Sequence, residues 1–259
     1  MSTGARWRSL RSNQRLPTYV LFAAIAVGVI VLAIRHHVVN EQTLIFLLVF
    51  LPAVILHEVS HGVVALWCGD DTAKRAGRLT LNPLKHIDPV GSVILPVVLA
   101  LIGAPIFGWA KPVPVSINRL RHPRNQSVLV ALAGPGTNII LALIAGVALH
   151  ELLNVWHLPI VSCAPYLCYA AVSQWALIEQ ILLYFGLVNV ILAAFNLIPI
   201  PPLDGSALIE RLLPVSALPT YYQMRMGFMV VVLLLVVFDQ SLLSSILGHV
   251  ENWYINLAI

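Results

Sequence analysis

The run His57-Glu58-Val59-Ser60-His61 sets two imidazoles and a carboxylate close together in the pattern H-E-x-x-H. On a helix, residues four apart share a face. His57 and His61 can therefore offer two neutral nitrogens to one metal ion. Glu58 lies about 100° further round, near enough to take a proton from water held at that ion. Zinc lowers the pKa of bound water toward neutrality, so two nitrogen ligands, a nearby base and an open position form a hydrolytic set. The motif is short and arises by chance in soluble helices. Here it lies inside the apolar run Thr43–Trp67, where two histidines and a glutamate are costly unless they have a function. The alternative is a set of polar residues that bridge helices or line a pore.

A catalytic zinc takes a third protein ligand. Asp204 is one candidate, in the stretch Asn196-Leu-Ile-Pro-Ile-Pro-Pro-Leu-Asp-Gly205. Pro199, Pro201 and Pro202 end the preceding helix and hold the chain extended, and Gly205 permits a tight turn. Such an extended stretch, Ile198–Pro202, or the loop between residues 69 and 125, could pair with a substrate backbone. Asp204 is equally readable as the N-cap of a short helix Ser206–Leu213. Asp239 is a weaker candidate near a helix end. His86 and Asp88 are possible ligands better suited to loop hydrogen bonds.

Membrane helices must position these groups. Of 259 residues, 59% are hydrophobic and 10% charged, and mean hydropathy is +0.89. A soluble domain carries about 25% charged residues, so lipid is the expected solvent. The isoelectric point of about 9.2 does not argue for nucleic acid, because the basic residues sit between apolar runs, where they meet headgroups. Three cysteines are too few for a disulfide framework. Cys163 and Cys168 form one bond if their loop is extracytoplasmic, or remain thiols.

The apolar runs are Tyr19–Ile34, Thr43–Trp67, Val90–Phe107, Val128–Leu149, Ile178–Leu197 and Gly227–Leu247. Arg6, Arg8, Arg11 and Arg15 precede the first. Arg35, His36 and His37 follow it in place of a cleavage site, so it reads as an uncleaved anchor behind a cytoplasmic segment, residues 1–18. Val155–Leu177 holds Pro159 and Pro165 and reads as loop or interfacial chain. If Val90–Phe107 crosses the bilayer, the 15 Lys and Arg divide almost evenly between the two sides. If it dips in and returns, only Arg35 lies outside, as the preference of basic residues for the cytoplasmic side requires. Pro96, Gly103 and Pro105 suit a broken, re-entrant path. The expected fold is an all-α polytopic membrane protein with five spans and a re-entrant segment, or six spans. In the five-span form Thr43–Trp67 and Ile178–Leu197 run the same way, so His57, His61 and Asp204 can meet at one depth.

His57–His61 on a membrane helix, then Gly134-Pro-Gly-Thr-Asn138, then Asn196–Gly205, resembles the site-2 proteases, a family of intramembrane zinc metalloproteases. The likeness covers about Leu51 to Leu213. Arg78–Pro83 and Gly108–Val115 look like the compact branch without a PDZ or CBS domain. The resemblance implies one Zn2+ per chain held by His57, His61 and Asp204, with Glu58 as catalytic base. It implies a three-helix catalytic core within about residues 43–213 of an integral protease domain, residues 19–259, acting on single-span membrane proteins. It also implies that Asn196 and Pro199 hold an unwound substrate and that Asn138 supports the site. From the residues alone, Asn138 could simply bridge helices, with Gly134 and Gly136 allowing close packing, and Asn196 could cap carbonyls. The expected location is the plasma (inner) membrane, multi-pass, with a cytoplasmic N-terminus and the site toward the cytoplasmic half. Lys74, Arg75, Arg78 and Lys85 would then mark the cytoplasmic mouth or bind headgroups. A zinc transporter would need polar residues along several spans, and a metal-holding scaffold would need no base. A different H-E-x-x-H protease would need Glu179 or Glu210 as its third ligand.

Overall fold

The computed structural model describes residues 41–94, 110–156, 177–224, 227, 228, 230 and 240–258, and there is no strand among them. Tyr19–Ile34, Cys163, Cys168 and most of Val90–Phe107 lie outside the described residues. The chain forms two compact units, one of residues 42–87 and 110–259 and one of residues 1–41 and 88–109. In the described part of the smaller unit, Asp88 opens a single wide helical turn, Pro89–Ile94. Its carboxylate accepts from the Gly91 N–H at 2.8 Å, and its N–H donates to the Ser92 hydroxyl at 3.0 Å.

Three helices of the larger unit are long and apolar enough to cross a membrane: α1 (Glu41–Trp67), α3 (Pro123–Trp156) and α4 (Leu177–Asn196). A short helix α2 (Thr72–Arg75) follows α1. At about 1.5 Å per residue, each of the three covers a hydrocarbon core of about 30 Å. α3 starts earlier than its apolar run because Pro123 suits a first helical position, where its missing N–H is not needed. It ends later because His150 and Glu151 continue the helix beyond the apolar stretch. Leu44, Leu47 and Leu48 of α1 and Ile140, Ile144 and Val147 of α3 are exposed at helical spacing, as lipid-facing stripes are.

The inner faces close on Ile45, Val49 and Ala53 of α1, Ala142, Leu149 and Leu153 of α3, and Leu183 and Val188 of α4. A helix α6 (Gln240–Ala258) completes the cluster, after a short α5 (Ser206–Leu212). About half of the expected final span Gly227–Leu247, Asp239 included, lies outside the described residues; Gly227, Phe228 and Val230 are helical, and α6 carries the helix from Gln240 to Ala258. Its Tyr254 ring is fully buried over Gly186 and Gly146, and any side chain at 186 would collide with it.

α1 ends at the same end of the bundle where α3 begins. His61, near the end of α1, meets Val130 near the start of α3, and the Arg121 N–H donates to the Cys68 carbonyl at 3.0 Å. α4 ends there too, because the turn that follows it brings Asp204 to His57 and His61. The basic residues between α1 and α3 thus need no net crossing, as the charge pattern requires.

Candidate metal centre

The Nε2 atoms of His57 and His61 lie 3.1 Å apart. Asp204 Oδ2 lies 3.1 Å from the first and 3.4 Å from the second. The edge of a tetrahedron drawn around zinc with nitrogen and oxygen ligands is about 3.3 Å. The spacing therefore matches three corners of such a site. Among the described residues these three are the group of His, Cys, Asp and Glu side chains that converges closely enough to hold a metal ion.

The protons point away from the centre. His61 Nδ1 sits 2.6 Å from the Val130 carbonyl oxygen, which can only accept, so Nδ1 carries the proton. His57 Nδ1 sits 2.5 Å from Asn138 Oδ1 and donates to it. Each neutral ring is left with a lone pair at Nε2. Asp204 Oδ2 is buried and has no hydrogen-bond partner. Two imidazole lone pairs and a carboxylate oxygen this close repel one another unless a cation lies among them. Three lone-pair donors at these separations suit the metal.

Local chain chemistry explains why the donors meet. Asp204 does not cap α5: the N-cap is Gly205, and no side chain bonds the helix start. The carboxylate is thereby left for the centre. Gly205 has φ −57°, a conformation any residue adopts, so the expected tight-turn reason does not hold. Its need is space, since a Cβ would collide with the Leu197 carbonyl and lie 2.6 Å from that of Ile198. The Ile198–Pro202 stretch is also not an extended strand. Its prolines leave only the N–H groups of Ile198 and Ile200, which donate to Phe195 and Ile198 carbonyls within the turn. Gly134 faces the centre so closely that a Cβ would run into His61 Nε2 and lie 2.5 Å from His57 Cε1, whereas Gly136 has open space.

Glu58 points to a different partner. Its Oε2 accepts from the Val113 N–H at 2.8 Å. Val113 lies between Pro112 and Pro114, which have no N–H, so it is the one donor of that tripeptide. The segment is strapped on both sides. Arg78 donates to the Lys111 and Pro112 carbonyls at 2.6 and 3.3 Å, and the Lys111 N–H donates to the His86 carbonyl at 2.8 Å. Asp70 accepts from the Ser116 N–H at 2.6 Å and from Thr72. Burial pushes the Asp70 carboxyl up, but these hydrogen bonds outweigh it and hold it below the usual carboxylate range. Gly62 gives the strap room: a Cβ there would sit 2.9 Å from Val113 Cγ1.

Of the other expected residues, Asn138 is fully buried against His57. The Asn196 amide donates to Leu192 at 2.9 Å, and its carbonyl accepts from the Gly205 N–H at 2.7 Å, so it braces the turn. Pro199 is exposed beside it. His86 bonds the Thr80 carbonyl at 2.8 Å and stays out of the centre. Arg78 is buried on the strap rather than at a headgroup surface, while Lys74, Arg75 and Lys85 are exposed. Sequence reasoning missed Asn189, Asp70 and the bracing role of Arg78. An amide in the apolar run of α4 is itself a signal, since polar groups at membrane depth need partners.

Residues 45–238 match the family described as Peptidase family M50. YwhC of Bacillus subtilis strain 168 is 42% identical over 159 residues, which is 61% of this chain and 64% of that protein. Rip2 of Mycolicibacterium smegmatis is 32% identical over 196 residues, 74% of this chain and 68% of that protein. Both names give zinc metalloprotease as an assigned class. The chain spans a little under two thirds of the length of YwhC. No solved structure matches.

Proposed function

Because this chain belongs to peptidase family M50, the site-2 protease family, we propose that it is an intramembrane zinc endopeptidase that cleaves single-span membrane proteins. The observation that carries the reading is the convergence of His57, His61 and Asp204 at tetrahedral spacing, with the two imidazole protons turned outward. In this reading those three side chains hold one zinc ion per chain. When bound, zinc polarises the scissile carbonyl and makes water acidic enough to attack near neutral pH.

The remaining chemistry falls to the chain's own residues. Glu58 takes a proton from the attacking water and delivers it to the leaving amine. The Val113 N–H holds the carboxylate at one oxygen and leaves the other free for that transfer. A substrate helix must unwind to expose its backbone. The Lys111–Ser116 strap is the better pairing surface, since Ile198–Pro202 spends its N–H groups on itself. Pro199, exposed at the turn, and Asn196 border the substrate's path. The positive-inside pattern supports an N-terminus and a site toward the cytoplasmic side, and the membrane proposed is the plasma (inner) membrane.

Reconstitution in vesicles with a single-span substrate tests this. Cleavage should stop when a strong zinc chelator strips the protein and return when zinc is restored. Cleavage that persists after verified zinc removal would rule the reading out.

A further inference from the structure

α4 carries an asparagine that no part of the mechanism uses. Asn189 and Asn138 are both 0% exposed, so no solvent helps to satisfy them. Asn189 Nδ2 lies 2.8 Å from the Phe185 carbonyl oxygen. Asn189 Oδ1 lies 2.7 Å from Asn138 Nδ2. Asn138 Oδ1 lies 2.5 Å from His57 Nδ1. The chain thus runs from a helix carbonyl to a candidate ligand through two side-chain amides.

An amide side chain can turn over and exchange its donor with its acceptor. A backbone carbonyl cannot, since it only accepts. With Phe185 O at one end, Asn189 must turn its nitrogen there and its oxygen toward Asn138. Asn138 must then donate to Asn189 and turn its own oxygen toward His57. The Ala53 carbonyl, 3.5 Å from Asn138 Nδ2, favours the same sense. His57 must in turn carry its proton on Nδ1, and the lone pair is left on Nε2, 3.1 Å from Asp204. If Asn138 turned over, it would donate to Nδ1 and push the proton to Nε2, where it would compete with a metal.

We infer that Asn189 is a positioning residue that fixes the tautomer of His57, through Asn138, so that Nε2 is always free for the metal. The inference rests on the proposed role of His57 as a zinc ligand. His61 needs no such relay, because it meets the accept-only Val130 carbonyl directly.

The test uses the full chain in detergent, with zinc affinity read by competition against a chelator and the His57 tautomer read by 15N NMR of the metal-free protein. The wild type is expected to show the proton on Nδ1. Asn189→Leu, similar in size but unable to accept from Asn138, is expected to weaken zinc binding by about 10–100-fold and to lose the single Nδ1–H signature. Asn189→Asp keeps an acceptor toward Asn138 and is expected to bind zinc more tightly than Asn189→Leu. Wild-type zinc affinity in Asn189→Leu would overturn the inference, as would equal losses in both variants with the Nδ1–H signature intact. If Asn189→Leu does not fold, the wild-type spectrum decides, since a proton found on Nε2 refutes the relay. His57→Ala separates the two levels. Zinc binding untouched by that change sinks the metal-centre reading, whereas zinc lost in His57→Ala but kept in Asn189→Leu sinks the relay alone.

Discussion

Glu58→Gln is expected to keep about one zinc per chain and to lower the rate of peptide hydrolysis by about 10³-fold, within the usual range for removing a general base. Glutamine has nearly the same shape, and its oxygen can still accept from the Val113 N–H that now meets Glu58. What it lacks is the capacity to hold a proton between the attacking water and the leaving amine. The three candidate ligands are untouched, so metal content and rate should separate cleanly. Metal analysis beside a single-turnover cleavage assay measures both. A fully active glutamine variant would show that Glu58 is not the base. A variant without zinc would show that Glu58 also shapes the metal centre.

Gly134→Ala carries the second large effect, though it alters no group able to bind metal. A helix interior ordinarily gains about 0.5–1 kcal/mol when glycine becomes alanine. Here the new methyl would collide with His61 Nε2 and lie within 2.6 Å of His57 Nε2, in the space the lone pairs share. The rings or the helix must move, and tetrahedral spacing is lost with either. Zinc affinity is expected to fall by at least the 10–100-fold typical of losing a supporting group, with no cleavage at ordinary zinc levels. Gly136→Ala is the control on the same helix. Nothing lies within 4 Å of its new methyl, so zinc binding and activity should be unchanged. Equal effects from the two changes would mean that the effect at Gly134 does not come from crowding the two imidazoles.

Local pattern and tertiary arrangement contributed differently to what could be read in advance. The apolar runs at Thr43–Trp67, Val128–Leu149 and Ile178–Leu197 were legible because lipid demands continuous apolar length. The first and last form helices within two residues of the expected limits, whereas α3 outruns its apolar run at both ends, from Pro123 to Trp156. His57, Glu58 and His61 were legible because one helical period carries their relation. Asp204 was not settled by its neighbours, since ligand and N-cap fit the same local sequence. The fold separates them by placing Gly205 at the cap and Asp204 at the histidines. The expected strand at Ile198–Pro202 failed because a proline-rich stretch lacks the N–H groups to pair, and the two it keeps turn inward.

Asp70, Arg78 and Asn189 were illegible for a related reason. Asp70 and Arg78 look like ordinary surface charges in sequence, and only the return of the 110–116 strap buries them. Asn189 gains its meaning from Asn138, fifty-one residues away. Asn138 was expected to support the site, and its contacts with His57 and with Asn189 on α4 are the observations behind the proposed relay.

The most direct test of the account is the zinc content of the purified full chain, wild type beside His57→Ala and Asp204→Ala. About one zinc per wild-type chain, lost or greatly weakened in both variants, is the predicted result. Zinc held at wild-type affinity after loss of Asp204 would contradict it, because the turn after α4 would then have no part in the metal centre.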